Sequence, residues 1–374
     1  MDRVAECNCH RRRFGVEILP PMKIIFTKKN RGMAVIVALI AVTVLTMLAG
    51  AFAYSMKVES RLAANAENDE QLLWLGRAGI ERARWILSIE GNLPFTSLNQ
   101  IWAGGPGDGP ETNSPLNGIS LDNFEVGDGA VSLKMIELES RINVNLADTP
   151  LIQQVLTTMG ADAGDLSVIA DSIQDWVDGD DATRPAGAES DYYQGLSPAY
   201  YAKNAPIDDI SELLLIKGIS LPLFRGGTVP NNQGAAFQHH RTGSGHSTGQ
   251  ATDYPFGLAD VFTPFSTGKV NLNTATETVL QLIPGVDTQT AQAIIKIRSG
   301  QGGADGSGAL RSLAQLNAIG IPAQASAQMQ RYVDVRGSTY EVHATARIGD
   351  YSREYIAVLF RNGPSVEVYS FYWK

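Results

Sequence analysis

Apolar and polar positions alternate with three different rhythms along the chain, and the first is no rhythm at all. From Met33 to Met56 no residue is charged, and Lys28-Lys29-Asn30-Arg31 stands directly before that run. A helix of this length reaches about 36 Å, enough to cross a hydrocarbon core of about 30 Å. Basic residues on the N-terminal side predict that the leader stays in the cytoplasm and that everything after Lys57 is exported. A cleaved secretory signal shares the basic start and apolar run, but ends in a small-residue cleavage site before a soluble protein. Here the run continues into a helical period, with Leu72, Leu75, Gly79, Ala83 and Ile86 at spacings of three and four. One long helix, half in lipid and half on a folded domain, accounts for both patterns.

The second rhythm has a period of two. Residues 91–119 are rich in Gly, Pro, Asn and Ser and read as loop. Val131, Leu133 and Met135 then alternate, and Ile136, Leu138, Ile142 and Val144 prolong the strand pattern with a shift of register. Near the C-terminus, Tyr332–Val335, Tyr340–Ile348 and Glu354–Phe360 read as consecutive strands, turning at Arg336-Gly337-Ser338 and Gly349-Asp350. They are expected to complete a sheet under the N-terminal helix. Val366, Val368, Phe371 and Tyr372 suit one more edge strand or an interface, and His343 reads as structural.

Between the two strand regions the helical period returns. Asn143-Val144-Asn145-Leu146-Ala147 leads into Leu151, Ile152, Val155 and Leu156, ending at Gly160. The unit is echoed by Asn271-Leu272-Asn273-Thr274-Ala275 before Val279, Leu280 and Ile283. Two corresponding strand-to-helix junctions are therefore expected to flank the middle of the chain. Asp165–Val177 puts Leu166, Ile169, Ile173 and Trp176 on one helix face, and Ile210–Leu215 reads as another apolar helix closed by Lys217-Gly218.

Charge narrows the classes of function. The leader, residues 1–32, carries net +5, which leaves −14 for the rest of a chain whose formal net charge is −9. An acidic exported part disfavours a partner held through phosphates. Both cysteines, Cys7 and Cys9, lie in the leader with His10, three clustered ligands without a fourth. Met22 begins a more typical short leader, so residues 1–21 read as an upstream extension of the start. No His-Glu-x-x-His or phosphate loop is present, and the expectation is a non-enzymatic protein.

The densest chemistry runs from Asp175 to Asp191. Six carboxylates, Asp175, Asp178, Asp180, Asp181, Glu189 and Asp191, fall within seventeen residues, four around a helix end and two beyond a Pro/Gly turn. A loop folded back on itself brings such hard oxygens around Ca²⁺, which takes six to eight oxygen ligands. The competing reading is a solvated acidic loop with Arg184 as partial counter-charge. His239, His240 and His246 lie in a Gly-, Asn-, Gln- and Ser-rich stretch, 225–255, that reads as a flexible excursion. Val279–Ile295 resembles the helix-hairpin-helix unit of competence-type DNA receptors, whose hairpin reads Gly-x-Gly. Here the second Gly is Asp287, a negative charge where phosphate would sit, so two packed helices joined by a turn are expected.

Two resemblances gather these features. The basic leader ending in Gly32 before Met33 is similar to the type IV pilin class of signal, which implies cleavage between Gly32 and Met33 by a prepilin peptidase, with methylation of the new terminus. Pilins carry Glu at the fifth mature position; Val37 stands there, as suits a subunit at the end of a filament rather than beneath another. Asp-Trp-x-Asp-x-Asp at Asp175–Asp180, Gly187-Ala188-Glu189, Lys203-Asn204-Ala205-Pro206-Ile207, Glu212-Leu213-Leu214 and Val261–Lys269 resemble the type II secretion minor pseudopilin K family.

That resemblance implies an α+β fold, a pilin-like long N-terminal transmembrane helix packed on an antiparallel sheet, with a large mostly helical domain inserted. It divides the chain into leader 1–32, membrane helix 33–56, pilin-like part 57–145, inserted domain 146–268, and a helical pair with closing strands 269–374. It implies calcium bound by Asp175, Asp178, Asp180, Glu189 and Asp191, with Asp181 as a further ligand. It also implies a single-pass inner-membrane protein with a periplasmic C-terminal domain, at the tip of the pseudopilus. The implied partners are other minor pseudopilins, the major pseudopilin, the prepilin peptidase and the inner-membrane secretion platform. A competence-type DNA receptor and a type IV pilus minor pilin are the alternatives, and an exported calcium-dependent hydrolase has only the acidic loop to support it.

Overall fold

The computed structural model describes residues 31–107, 115–227, 254–300, 308–318, 321 and 323–374. Cys7, Cys9, His10, Met22 and the three histidines of residues 239–246 lie outside the described residues. The chain divides into two compact units, residues 1–66 and 67–374. In the first, residues 32–66 are helical, and Met33, Val35, Leu39, Leu45 and Phe52 expose more than half of their surface. This apolar stretch belongs to α1 (Arg31–Glu90), a helix long and apolar enough to cross a membrane.

Within the second unit the rest of α1 lies on a five-stranded antiparallel sheet of order β1-β2-β7-β8-β9. β1 (Phe124–Val126) and β2 (Gly129–Glu137) precede a long insertion; β7 (Thr339–Ile348), β8 (Tyr351–Asn362) and β9 (Ser365–Trp373) follow it. Leu72, Ile80, Ala83, Ile86 and Leu87 of the helix pack on Val131, Leu133, Val342, Ala344 and Leu359 of the sheet. The helix sits close because two of its contact positions carry no side chain. A Cβ on Gly76 would run into the Tyr355 ring, and one on Gly79 would meet Val131 Cγ1 at 2.9 Å. Tyr340 and Tyr355 close the core as fully buried rings.

Between β2 and β7 the chain builds a second core from short helices. A 3₁₀ turn at Leu138–Ser140 ends the β2 run, so Ile142 and Val144 do not prolong that strand. Instead β3 (Ile142–Asn143) pairs in parallel with β4 (Phe262–Thr263), while β5 (Val270–Asn271) pairs in parallel with β6 (Val333–Asp334). Val333–Asp334 therefore does not join the large sheet, contrary to the alternation read in sequence. Each short strand feeds a helical hairpin: α2 (Thr149–Met159) with α3 (Ala163–Val177), and α7 (Glu277–Gln281) with α8 (Thr288–Arg298). Short helices α4 (Ser190–Gln194), α5 (Leu221–Arg225) and α6 (Leu258–Val261) lie between the hairpins, and α9 (Gln315–Ala318) and α10 (Ala323–Met329) follow them. Ile152, Val155, Leu156, Ile173 and Trp176 share one apolar core with Leu272, Val279, Leu280, Ala291 and Ile294.

The sequence echo is a structural duplication. Asn143 Oδ1 accepts from the Asn145 amide at 2.9 Å, and Asn271 Oδ1 accepts from the Asn273 amide at 3.0 Å. The second asparagine of each unit brackets a distant backbone with both ends of its amide. Asn145 exchanges two bonds with Ile207 at 2.8 and 3.0 Å, and Asn273 two with Leu310, both at 2.8 Å. A side-chain cap then opens each helix, Asp148 at α2 and Thr276 at α7. Ile210–Leu215 also differs from expectation: it is a 3₁₀ segment, started by a capping box between Asp209 and Glu212.

Candidate functional site

The acidic stretch lies between α3 and α4, and the helix ends fix its geometry. Asp175 sits in the last turn of α3, fully buried, and Asp178 is the residue that ends the helix. The loop then returns so that Glu189, immediately before α4, comes back against Asp178. Carboxylate oxygens of Asp178, Asp180 and Glu189 lie within 4.8 Å of one another. The return is tight, since a Cβ on Gly187 would collide with Asp175 Oδ2. Lys217 holds it from outside, donating from Nζ to the Gly187 carbonyl at 2.9 Å while its ammonium stands 4.9 Å from the Tyr192 ring centre. Trp176, Tyr193 and Tyr200 form the apolar floor, with Trp176 edge-on to Tyr193 at 5.3 Å and Tyr193 stacked on Tyr200 at 5.2 Å.

Arg184 neutralises part of the cluster. Its guanidinium donates to Asp175 Oδ1 at 3.1 Å and to Asp178 Oδ2, and its backbone amide also faces the Asp175 carboxylate. Burial pushes the Asp175 carboxyl above its usual value, against the hydrogen bonds from Arg184. The hydrogen bond to Asp178 in turn raises the guanidinium above its own. One cation facing this many acids leaves charge over. Glu189 is 2% exposed, and neither of its oxygens has a hydrogen-bond partner. Burial, then repulsion from Asp175, Asp178, Asp181 and Asp180, pushes it up to about 7. Asp178 Oδ1 is likewise buried without a partner.

The remaining candidates take different places. Asp180 Oδ1 accepts from the Ala182 amide at 2.8 Å and folds the loop on itself. Asp181 Oδ1 accepts from Asn204 Nδ2 at 2.8 Å and from Ser190 Oγ at 3.4 Å. Asp191 is exposed in the first turn of α4. Asn204 was not read as a ligand in the sequence. It has φ +47°, and its buried Oδ1 has no partner, although its own amide is fixed to Asp181. A positive φ at a non-glycine residue is a signal that only coordinates reveal. The donors are carboxylate and amide oxygens, with no nitrogen or sulfur among them, a set suited to a hard divalent cation. Unsatisfied buried oxygens on Glu189, Asp178 and Asn204 are what such an ion would relieve.

Gly32, Met33 and Val37 all lie in α1, where Met33 and Val37 are 67% and 65% exposed. In the second hairpin, Gly285 takes φ +89° in the turn, and Asp287 caps α8 by accepting from the Thr290 amide at 2.8 Å. That bond holds the Asp287 carboxyl below its usual range. A helix start at which phosphate would be bound thus already has its own anion.

Comparison with known proteins follows these divisions. Residues 131–226, which contain the acidic loop, match the family described as type II secretion system (T2SS), protein K. Residues 266–333 match the helix-hairpin-helix motif. The type II secretion system protein K of Aeromonas hydrophila is 23% identical over 218 residues, 53% of this chain and 61% of that protein. The one from Pectobacterium carotovorum subsp. carotovorum is 24% identical over 266 residues, 66% of this chain and 70% of that protein. The chain spans about 60% of the Aeromonas and Klebsiella pneumoniae relatives. A solved structure of the GspK-GspI-GspJ complex from the enterotoxigenic Escherichia coli type 2 secretion system contains a chain with the same fold. The TM-score is 0.59 at 17% identity, covering 83% of this chain and 99% of that one. The acidic-loop domain thus carries a similarity to the type II secretion system protein K family, and the helical hairpins and sheet share the fold of a chain in that solved complex.

Proposed function

We propose that the protein is a structural, non-enzymatic minor pseudopilin that starts or caps the type II secretion pseudopilus. The observation that carries this reading is the family match over residues 131–226 in a chain with a membrane-length helix near its N-terminus. In it, α1 anchors the protein once in the inner membrane, with basic residues on the cytoplasmic side and residues 67–374 in the periplasm. The prepilin peptidase cuts between Gly32 and Met33, and the new terminus is methylated. Val37 supplies no carboxylate for the amine of a neighbouring subunit within the membrane, which suits a terminal position. The likeness to a chain of the GspK-GspI-GspJ complex supports other minor pseudopilins as partners. The small residues Ala41, Ala49, Gly50, Ala51 and Ala53 suit close packing against partner helices. The major pseudopilin and the inner-membrane platform complete the set of partners.

In the same reading the acidic loop holds calcium. Asp178, Asp180 and Glu189 are the central ligands, and Asp181, Asn204 Oδ1, Asp175 and Asp191 are the donors around them. When bound, the ion supplies positive charge and oxygen coordination; it fixes the loop and does no chemistry on a substrate. Arg184 then retains Asp175, and Lys217 keeps the return of the loop closed.

The test is the N-terminus of the membrane-fraction protein, by intact mass and terminal sequencing in cells with and without the prepilin peptidase. A peptidase-dependent start at Met33 is expected, and Gly32→Ala abolishes it. A terminus upstream of Gly32 in both strains overturns the pseudopilin reading, and a cut beyond Tyr54 makes the product a secreted soluble protein.

A further inference from the structure

On the face of the sheet away from α1, one row of side chains runs across four strands. Lys134 of β2 stands opposite His343 of β7, His343 opposite Ile356 of β8, and Ile356 opposite Tyr372 of β9. His343 alternates with Val342 and Ala344, both fully buried under the helix, so its ring points the other way. There it lies between two acids. Nε2 is 2.6 Å from Glu341 Oε1 on its own strand, and Nδ1 is 3.0 Å from Glu354 Oε1 on the neighbouring strand. Neutral imidazole has one N–H and one lone pair, so either tautomer would set a lone pair against one carboxylate. Only imidazolium donates to both.

Other charges reach this face from the inserted part. Arg141, after the 3₁₀ turn, attracts Glu341, and Asp209, before Ile210–Leu215, repels it. Asp209 and Glu341 also act on Tyr372, whose phenol is pushed up mainly by burial. Lys134 adds an exposed cation at the end of the row. Three acids, Glu341, Glu354 and Asp209, thus face His343, Arg141 and Lys134, and His343 is the one cation among them that titrates near neutrality. Its side chain keeps 21% exposure, enough for exchange with solvent.

The geometry points to a pH-operated clasp: His343, held as the imidazolium between Glu341 and Glu354, ties β7 to β8 beneath the segment that carries Asp209 and releases them on deprotonation. The pseudopilin reading does not require it. The hydrogen bonds it donates to Glu341 first, and to Glu354, raise the imidazole above its ordinary value, and the bond to Glu341 lowers that carboxyl below its own. A raised histidine contributes stability that is complete below the unfolded value and is lost as pH rises through the folded one. Above that point two carboxylates on adjacent strands confront each other without the cation between them, and Asp209 approaches the same side.

The experiment uses the full chain in detergent micelles with ring-labelled histidine. The clasp predicts one histidine resonance, absent from His343→Gln, with both nitrogens protonated at pH 6 and a titration midpoint above about 6.5. Glu354→Gln lowers that midpoint by about one unit, a tenfold loss of proton affinity. Thermal melts between pH 6 and 9 lose stability at the same midpoint in the native chain, in addition to the loss contributed by Glu189 and Glu137; the histidine contribution moves down in Glu354→Gln and is missing in His343→Gln. A midpoint at or below 6.5, a neutral ring at pH 6, or an unchanged histidine contribution in Glu354→Gln overturns the clasp. The resonance of the native chain decides the matter even where His343→Gln does not fold.

Discussion

Glu189 shows how one side chain can cost stability and still be kept. Its buried carboxylate has no hydrogen bond and faces four other acids, an arrangement that favours the protonated form. Because its folded pKa is raised to about 7, the cation-free protein loses stability as pH climbs from the ordinary carboxylate range through 7. Glu189→Gln therefore raises the melting temperature of the calcium-free chain at pH 8 and has little effect at pH 4. The proposed calcium site predicts that the order reverses in saturating calcium, because a native chain that binds the ion would gain about 2.7 kcal/mol at a hundredfold excess over Kd and the variant much less. Melts with calcium and with chelator, at both pH values, test the four combinations. Asp178→Ala with Asp180→Ala lowers the melting temperature only when calcium is present, and an equal loss in chelator would make the loop a structural feature without a cation. Six acids in seventeen residues were plain in the sequence. Which of them share a centre was not, because Arg184 engages Asp175 and Asn204 engages Asp181 through folding back of the loop.

At the scale of elements, the contact of α1 with the sheet rests on missing side chains. Gly76→Ala places a methyl in the Tyr355 ring and forces helix or ring to shift, at a cost of about 1–3 kcal/mol despite the better helix propensity of alanine. Denaturant midpoints of Gly76→Ala and of Ala78→Gly, at a half-buried position in a groove beside the edge strand β1, separate overpacking from propensity. The duplicated junctions make a matched pair of tests. Asn145→Ala removes two hydrogen bonds to Ile207 and one to the Pro264 carbonyl, Asn273→Ala removes two to Leu310, and each leaves a distant amide and carbonyl unsatisfied, about 1–3 kcal/mol in each case. Similar losses from the two, measured by denaturant melts, are expected from equivalent roles.

The period of two identified β2, β7 and β8 because one face of each is buried under the helix. It misassigned Val333–Asp334, since a two-residue parallel strand has no alternation long enough to tell one sheet from another. The 3₁₀ segment at Ile210–Leu215 was misread for a similar reason. Its apolar residues suit either helix, and the Asp209 capping box with a tight last turn decides between them.

Across the whole of residues 67–374, the sheet and the inserted helices are joined by buried charge. Glu139 accepts from the Thr267, Ser338 and Thr339 amides and from Thr339 Oγ1, and Glu137 accepts from Asn271 Nδ2 and Thr274 Oγ1. Two buried acids side by side do not both ionise readily. Burial first, and Glu139 second, hold the Glu137 carboxyl well above its usual range. That raised value means stability complete below the ordinary carboxylate pKa and lost as pH rises above it. Glu137→Gln is expected to match the native chain near pH 4 and to exceed it in melting temperature at pH 7. Glu139→Gln, which weakens four accepted hydrogen bonds, is expected to be less stable at pH 7. A pH series of melts for both variants tests whether Glu137 is held protonated.

What the sequence determined by itself is whatever depends on neighbours along the chain: the membrane-length helix, the alternation of the long strands, the caps and glycines that bound the hairpins, and the crowding of acids at Asp175–Asp191. These follow from local periodicity and composition, which act within a turn or two. Tertiary structure decided what depends on residues far apart: the parallel pairings of β3 with β4 and β5 with β6, the convergence of Asp178 and Glu189, and the placing of His343 between Glu341 and Glu354. Such partners are chosen by where the chain returns, because burial, charge and hydrogen bonding act through space.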